Sequence, residues 1–260
     1  MTKDAVLAIL RKENDYISGE HISRLLGVSR AAVNTAVKAL RAEGYEISSS
    51  TNKGYHLDAV PNSISAQELA AYLDEARMQT VECLASVDST NNRLRELALA
   101  GAPNGQVVLA NEQTQGKGRR GRAFASPQDN GIYLSILFHP DTLPTDIVEI
   151  TAWTAVATNN AIEEVCGVRA GIKWVNDLVI DRKKICGILT EMSVESESGY
   201  IQYLIIGIGI NVNGQAEDFP AEIRSTATSL AMETGKTHSR AALAAALIRE
   251  LDSMCRAWPK

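Results

Sequence analysis

The run Gly116-Lys117-Gly118-Arg119-Arg120-Gly121 is followed by a stretch with no room for a helix, and this limits the possible folds more than any other feature. Its glycines fit the G-x-G-x-x-G dinucleotide fingerprint, which needs a strand before it, a helix starting within it and an acidic residue about 20 positions on. Residues 106–111 (QVVLAN) read as the strand. After Arg122, however, AFASPQDN carries Pro127 and a Gln-Asp-Asn-Gly turn cluster, and residues 131–138 (GIYLSILF) then read as a second strand. Asp141 has about the right offset but lies in the proline-bracketed turn HPDTLP. A strand, a cation-rich loop and a strand argue against a Rossmann unit.

The chain has 260 residues, 45% apolar and 22% charged, enough for one large or two modest domains with a real core. The longest apolar run, LIIGIGI, is far short of the roughly 18 residues a membrane span requires. The N-terminus MTKDAVLAILRKEN is an amphipathic helix pattern carrying Asp4, not a signal peptide. These features suggest a soluble, unprocessed protein without a membrane partner. Cys83, Cys166, Cys186 and Cys255 form no C-x-x-C pair and have no His at ligand spacing, so we expect core thiols in a reducing cytoplasm and no metal site.

Residues 1–60 read as a winged helix-turn-helix. Val6, Ile9 and Leu10 mark a first helix, and Ser18 caps a second with Ile22, Leu25 and Leu26 inside, ended by Gly27. Ser29 caps a third, with Ala32, Val33, Ala36, Val37 and Leu40 inside, ended by Gly44. YEISSS and GYHL then form a hairpin whose turn, Thr51 to Gly54, needs a left-handed glycine. Ser29, Arg30, Asn34 and Lys38 on the third helix and Lys53 on the wing are the candidate DNA contacts; a solvated face of a protein-interaction module is the alternative. This segment carries 8 Lys or Arg against 7 Asp or Glu, and the remainder 18 against 24. One copy would bind weakly at physiological salt, so paired copies on a two-fold operator are expected.

A linker at residues 61–64 leads to a capping box, Ser65 to Glu68, that opens a second domain over residues 65–260. Its mixture of helices and hairpins predicts an α+β fold with a mixed, mainly antiparallel sheet. In it, Asp88-Ser89-Thr90-Asn91 precedes a helix; one cap needs one such residue, and the others could ring a small uncharged ligand. The loop places Lys117, Arg119, Arg120 and Arg122 among three glycines, so backbone N–H groups and guanidinium forks can close on one anion. Phe124 could stack on a base. Lys173, beside Trp174 in an apolar strand, is expected to be buried and to need an anion; Asn176-Asp177 could be a turn. The following hairpin DLVIDRKKICGIL would turn at Arg182-Lys183. In GIGINVNG, the glycines and Asn211 suggest close approach of a flat ligand. The set suits a reaction joining two anions, whose repulsion is roughly 4 kcal/mol per charge pair at 4 Å in an effective dielectric near 20.

EQTQGKGRRGR, KWVNDL, KICGIL and GIGINVN, in this order behind a winged helix, resemble the bifunctional biotin protein ligases that are also biotin operon repressors. The resemblance covers nearly the whole chain and implies a class II synthetase-like catalytic domain. It also implies activation of biotin by Mg·ATP to biotinyl-5′-adenylate and transfer to a lysine of biotin carboxyl carrier protein. Carried over by position, Ser89, Thr90, Asn91 and Gln113 would hold the ureido ring, and Lys117, Gly118 and Arg119 the carboxylate and phosphate. Lys173 and Arg119 would be catalytic, with Lys173 also at the biotin carboxylate; Arg122, Phe124 and Asn211 would face the nucleotide. The resemblance further implies a loop that is disordered without biotin and an adenylate-loaded homodimer that binds operator DNA. Lys117 stands where Arg is commoner, Val175 replaces a usual proline and Phe124 a usual tryptophan. The family normally continues into an SH3-like C-terminal domain where this sequence ends at RAWPK, so either the chain is cut there or a member without that domain is expected. A ligand-sensing transcription factor without ligase chemistry, and a lipoate ligase, remain as alternatives.

Overall fold

The computed structural model describes residues 2–140, 144 and 147–257. Asp141 therefore lies outside the described residues. The chain divides into two compact units, Met1–Asn62 and Ser63–Lys260.

In the first unit, α1 (Thr2–Lys12), α2 (Gly19–Leu26) and α3 (Arg30–Ala42) precede a hairpin of β1 (Glu46–Ser50) and β2 (Gly54–Ala59). The serine caps form as expected: Ser18 Oγ accepts from His21 N and Ser29 Oγ from Ala32 N, each at 3.1 Å. Each cap is worth about 1 kcal/mol. Gly27 ends α2 at φ 64°. Gly54 has φ 107°, and a Cβ there would lie 2.1 Å from the carbonyl oxygen of Ile17. That strand end is held by paired Ile17 and Tyr55 backbone bonds of 2.9 Å, so glycine is required on two counts. Val6, Ile22, Val33, Val37 and Leu40 are fully buried in one core. Leu25, expected on the inner face of α2, is instead 57% exposed. Among the α2 residues, Ile22 alone is fully buried, because this two-turn helix presents only a narrow stripe to α1 and α3.

The second unit begins with two single turns, α4 (Ala66–Leu69) and α5 (Glu75–Met78), capped by Ser65 and Asp74. Then come β3 (Val81–Leu84), α6 (Thr90–Leu99), β4 (Val107–Ala110), β5 (Gly131–Phe138), α7 (Ile147–Cys166), β6 (Gly171–Lys173) and β7 (Asp177–Ile180). The chain continues through β8 (Lys183–Val194), β9 (Ile201–Asn211), α8 (Leu230–Thr234) and α9 (Arg240–Ala257). The seven strands form one sheet in the order β3-β4-β5-β9-β8-β7-β6. β3 and β4 are parallel and every other pair is antiparallel, so the sheet is mixed and mainly antiparallel.

Strand periodicity separates the two faces of this sheet. Ile132, Leu134 and Ile136 of β5 and Ile206, Ile208 and Ile210 of β9 share a buried cluster with Leu243, Leu247 and Leu251 of α9. Ile205, one position out of phase, joins Val108, Leu137 and Leu94 of α6 on the opposite face. Farther along that second face β5 and β9 turn small, with Ser135, Gly207 and Gly209, and a site opens. Arg240, fully buried at the start of α9, donates to Asp129 at 2.5 Å, to the Gly131 carbonyl at 3.0 Å and to Asn111 at 3.2 Å. These bonds fasten the downstream end of the cation loop to α9.

Burial pushes the Cys83, Cys186 and Cys255 thiols up to about 12 and Cys166 to about 11, so all four are neutral at physiological pH; Cys186 is fully buried and the other three are partly buried against the core. Among the described residues, no group of three or more His, Cys, Asp or Glu could hold a metal ion, and no helix is long and apolar enough to cross a membrane.

The β7–β8 turn is centred on Asp181-Arg182, at φ 46° and 66°, and not on Arg182-Lys183. Two left-handed central residues define the hairpin turn that matches strand twist, and β8 accordingly starts at Lys183, opposite Ile180. A β-carbon is unfavourable at the second of these positions. Arg182→Gly should therefore raise the unfolding free energy by about 0.5–1 kcal/mol. An unchanged or lower urea midpoint would contradict this account of the turn.

Candidate active site and nucleic-acid interface

The floor of the second-unit site is bare backbone. A Cβ on Gly207 would lie 2.3 Å from Asn91 Oδ1, and one on Gly209 would lie 2.4 Å from the Phe124 ring. The glycines of GIGIN thus admit two of the chain's own side chains, where the sequence suggested a flat ligand. An inner cavity of about 40 Å³ remains, lined by Ser89, Thr90, Gln113, Lys117 and Lys184, among others. It adjoins an outer cavity of about 470 Å³ lined by Arg122, Asp177, Asn211, Phe219 and Ile223, among others. Gly118, Arg119, Phe124, Asn176 and Lys184 line both.

One wall of the inner cavity is a directional hydrogen-bond chain. Ser126 Oγ donates to the Phe124 carbonyl at 3.1 Å, and Gln113 Nε2 donates to Ser126 Oγ at 2.9 Å. Gln113 Oε1 therefore faces Thr90, accepting from its N at 2.8 Å and its hydroxyl at 3.0 Å. The single proton of buried Ser135 is shared between Thr90 Oγ1 and Asn91 Oδ1, at 2.7 and 2.5 Å, and Asn91 Nδ2 donates to Glu191 at 2.7 Å. A carbonyl at one end and a carboxylate at the other only accept, so both amides are held in one orientation. Ser89 occupies the N-cap position of α6 yet makes no side-chain cap bond. Its hydroxyl is thus not committed to helix capping, and it lines the inner cavity. Asp88 accepts from Asn92 and from Ser89 N, and the Asn92 bond leads in holding its carboxyl below the usual range.

The cation loop is a small hairpin of its own. Gly118 N donates to Arg122 O at 2.7 Å and Phe124 N to Gly116 O at 2.8 Å, with Arg120 left-handed at φ 57°. Lys117 donates to Asn92 Oδ1 at 2.5 Å and Arg119 to Asn176 Oδ1 at 2.9 Å. Arg119, Arg120 and Arg122 all line the outer cavity. Asn211 Nδ2 donates to the Thr228 carbonyl at 3.0 Å and more weakly to that of Lys184 at 3.4 Å, fastening one wall of the same cavity.

Lys173 sits on β6, all three residues of which are exposed, and it lines neither cavity. The expectation of a buried cation there does not hold, because β6 is the outermost strand of the sheet. The lysine at the site is Lys184 on β8. It pairs with Asp177 at 2.7 Å and lies 5.8 Å from the centroid of the Phe124 ring. Its sequence signal was the KKICGIL motif, in which two adjacent lysines point to opposite faces and only the correct hairpin register tells them apart. Asn92, Ser126 and Glu191 were not singled out by sequence reasoning, and Asn176 was read only as a turn residue; the contacts that bring them to the site cross between separate elements.

In the first unit, Arg30 and Asn34 of α3 and Lys53 of the wing line one groove with Ser18, Ser49 and Asn52, among others. Lys53 also lies 5.7 Å from the ring centroid of Tyr16. Lys38 is exposed on α3 but does not line this groove, and Ser29 is used as the helix cap. Arg41 lines it too, but its guanidinium is bonded to the Ile47 carbonyl and to Ser49.

Because Asn91 is bonded on both sides of its amide, the Gly207 contact cannot relax by a simple rotation. Gly207→Ala should cost about 1–3 kcal/mol of stability and displace Asn91, read as a lower thermal midpoint. A crystal structure of this variant with Asn91 unmoved would count against the close-approach argument.

Comparison with known proteins agrees with both regions. Residues 83–211 match the biotin/lipoate A/B protein ligase family, and residues 2–56 match an HTH domain. The bifunctional ligase/repressor BirA of Bacillus subtilis is 40% identical over 93% of this chain and 74% of its own length. Its Escherichia coli counterpart is 29% identical over 94% and 74%. Among solved structures, the biotin protein ligase from Aquifex aeolicus in complex with biotin and ATP aligns with a TM-score of 0.58. It is 30% identical, with 68% of this chain and 70% of that one covered. A cation hairpin closing over a polar cavity, behind a winged helix and at this level of identity, places the chain in the bifunctional ligase/repressor family of biotin protein ligases.

Proposed function

We propose that this chain activates biotin with ATP, transfers the biotinyl group to a lysine of a biotin carboxyl carrier protein, and represses transcription at a biotin-responsive operator. The observation that carries this reading is that Lys184 and Arg119 line both the inner and the outer cavity. Two reactants can therefore meet at the same pair of cations.

Biotin belongs in the inner cavity. Its ureido carbonyl needs donors and its two N–H groups need acceptors, and Ser89, Thr90, Asn91 and Gln113 offer both in fixed orientation. As it stands the inner cavity is too small for this ligand, so the Phe124 ring must leave Gly209 when biotin enters. The carboxylate then lies against Lys184, Lys117 and Arg119, with the Gly118 backbone beside it. ATP occupies the outer cavity, where Arg122, Phe124 and Asn211 face it and Phe219 and Ile223 supply an apolar wall.

A carboxylate oxygen attacks the α-phosphorus, a P–O bond forms, and the bond to the bridging oxygen of pyrophosphate breaks. Lys184 and Arg119 lower the repulsion between the two anions as they approach. Closing the cation hairpin keeps water from the mixed anhydride. In the second half-reaction the neutral amine of the acceptor lysine attacks the acyl carbon, AMP leaves, and the amine proton passes to solvent. Asp177 is the one carboxylate among the residues lining the outer cavity, which fits magnesium arriving on the ATP phosphates, since Mg²⁺ usually binds through one or two carboxylates plus substrate oxygens. There it would supply charge neutralisation of the triphosphate.

The adenylate-loaded chain acts in the cytoplasm as a homodimer whose paired winged helices grip a two-fold operator. Arg30, Asn34 and Lys53 would approach the duplex together, with Ser29 seating α3 and Lys38 at the margin.

The deciding assay incubates the protein with ATP, labelled pyrophosphate and either biotin or lipoate. Biotin-dependent exchange is expected; lipoate-dependent exchange, or biotin binding without exchange, would each favour a different function. Lys184→Ala should lower exchange by about two orders of magnitude, the size of a lost oxyanion-type contact. A larger loss in Lys173→Ala than in Lys184→Ala would return the role to Lys173. In operator binding, Arg30→Ala and Lys53→Ala should each flatten the salt dependence by about one unit of slope. An unaltered slope in both would remove this groove from the DNA interface.

A further inference from the structure

The cations of the hairpin loop are held by amides rather than by carboxylates. Lys117 reaches Asn92 on α6, and Arg119 reaches Asn176 on the turn between β6 and β7. Among the described residues, neither cation makes a salt bridge to an acidic side chain, although Asp88, which orients Asn92, lies near enough to Lys117 for that charge to help hold its carboxyl low. Each asparagine is itself oriented through its amide nitrogen. Asn92 Nδ2 donates to Asp88, and Asn176 Nδ2 donates to the Ile188 carbonyl at 3.2 Å. The Asn176 backbone carbonyl also accepts from Ile188 N at 2.8 Å, which ties the turn to β8. With both nitrogens committed, both Oδ1 atoms must face the loop.

We propose that Asn92 and Asn176 are positioning residues that grip the two arms of the loop across the cavity while keeping both cations out of a direct salt bridge. A carboxylate in either place would hold its cation more firmly, but it would cancel that charge and compete with an incoming anion. An amide oxygen is a dipole without net charge. It fixes where the cation sits, yields readily to a carboxylate or phosphate, and preserves the field that the anion meets. Asn92 also accepts from Arg95 at 3.3 Å, and Arg95 pairs with Glu191, the residue that orients Asn91. The grip on Lys117 is thereby joined to the wall of the inner cavity.

The grip itself is independent of the substrate, whereas its benefit to catalysis rests on the ligase reading, so the test has two parts. Hydrogen–deuterium exchange of the loop peptide is measured on the full, ligand-free chain. Asn92→Ala and Asn176→Ala should each speed exchange across residues 116–124 by about tenfold, the loss of one charge-assisted hydrogen bond. Arg119→Ala breaks the same contact from the loop side, so the double variant Arg119→Ala/Asn176→Ala should exchange no faster than Arg119→Ala alone. This arm stands even if Asn176→Ala weakens its turn, because an unrelated weakening would add to the Arg119→Ala effect. Asn176→Asp keeps an acceptor for Arg119 but loses the donor to the Ile188 carbonyl; it should leave loop exchange at or below the parent rate yet lower biotin-dependent pyrophosphate exchange at least tenfold. Parent-like loop exchange in both alanine variants, additive effects in the double variant, or full activity in Asn176→Asp would each overturn the proposal. Should the parent chain show no biotin-dependent exchange, the ligase reading fails while the loop measurements still decide the grip.

Discussion

The catalytic unit depends on the approach of side chains to the uncovered backbone of β9 at Gly207 and Gly209. Asn91 and Phe124 occupy the space that two β-carbons would fill, and through them α6 and the cation hairpin are both brought onto the sheet. The period of the strand makes this possible without loss of stability. Ile206, Ile208 and Ile210 point to the opposite face and bury there against the long C-terminal helix. One strand thus supplies a dense core on one side and a site on the other.

Around that floor, polarity is arranged by groups whose hydrogen-bonding sense cannot reverse. The Phe124 carbonyl orients Gln113 through Ser126, and the Glu191 carboxylate orients Asn91, with the Ser135 hydroxyl where the two halves meet. A ligand entering such a wall finds donors and acceptors already assigned, which lowers the ordering cost of recognition. The charged part of the site follows a different rule. Its cations come from a glycine-rich loop and from Lys184, which is held on a strand beside Asp177.

Much of this was readable in the residues. The serine caps, the left-handed glycines at 27 and 54, the strands flanking the cation loop and the mixed sheet all follow from local rules that the structure obeys. The polar cluster at residues 89–91 was legible because one cap cannot use three such side chains. Lys184 was missed because placing the turn one residue late reassigns the faces of β8, and face is what separates a site lysine from a surface one. Lys173 was overrated because an apolar neighbourhood in sequence was taken for burial, while β6 lies at the sheet edge. Leu25 erred in the same way on a short helix. Glu191 carries no local signal, since its role comes from a contact about a hundred residues away along the chain, and Asn176 was legible only as a turn residue because its partner Arg119 lies 57 positions away.

The buried Arg240 has a mechanical corollary. By clasping Asp129, Asn111 and the start of β5, it makes the downstream foot of the loop continuous with the rigid body of the protein. The glycine-rich arc thus spans two fixed points of the fold, the end of β4 and Asp129. With its downstream foot tied to α9, the volume open to the loop cations is bounded by the length of the arc itself.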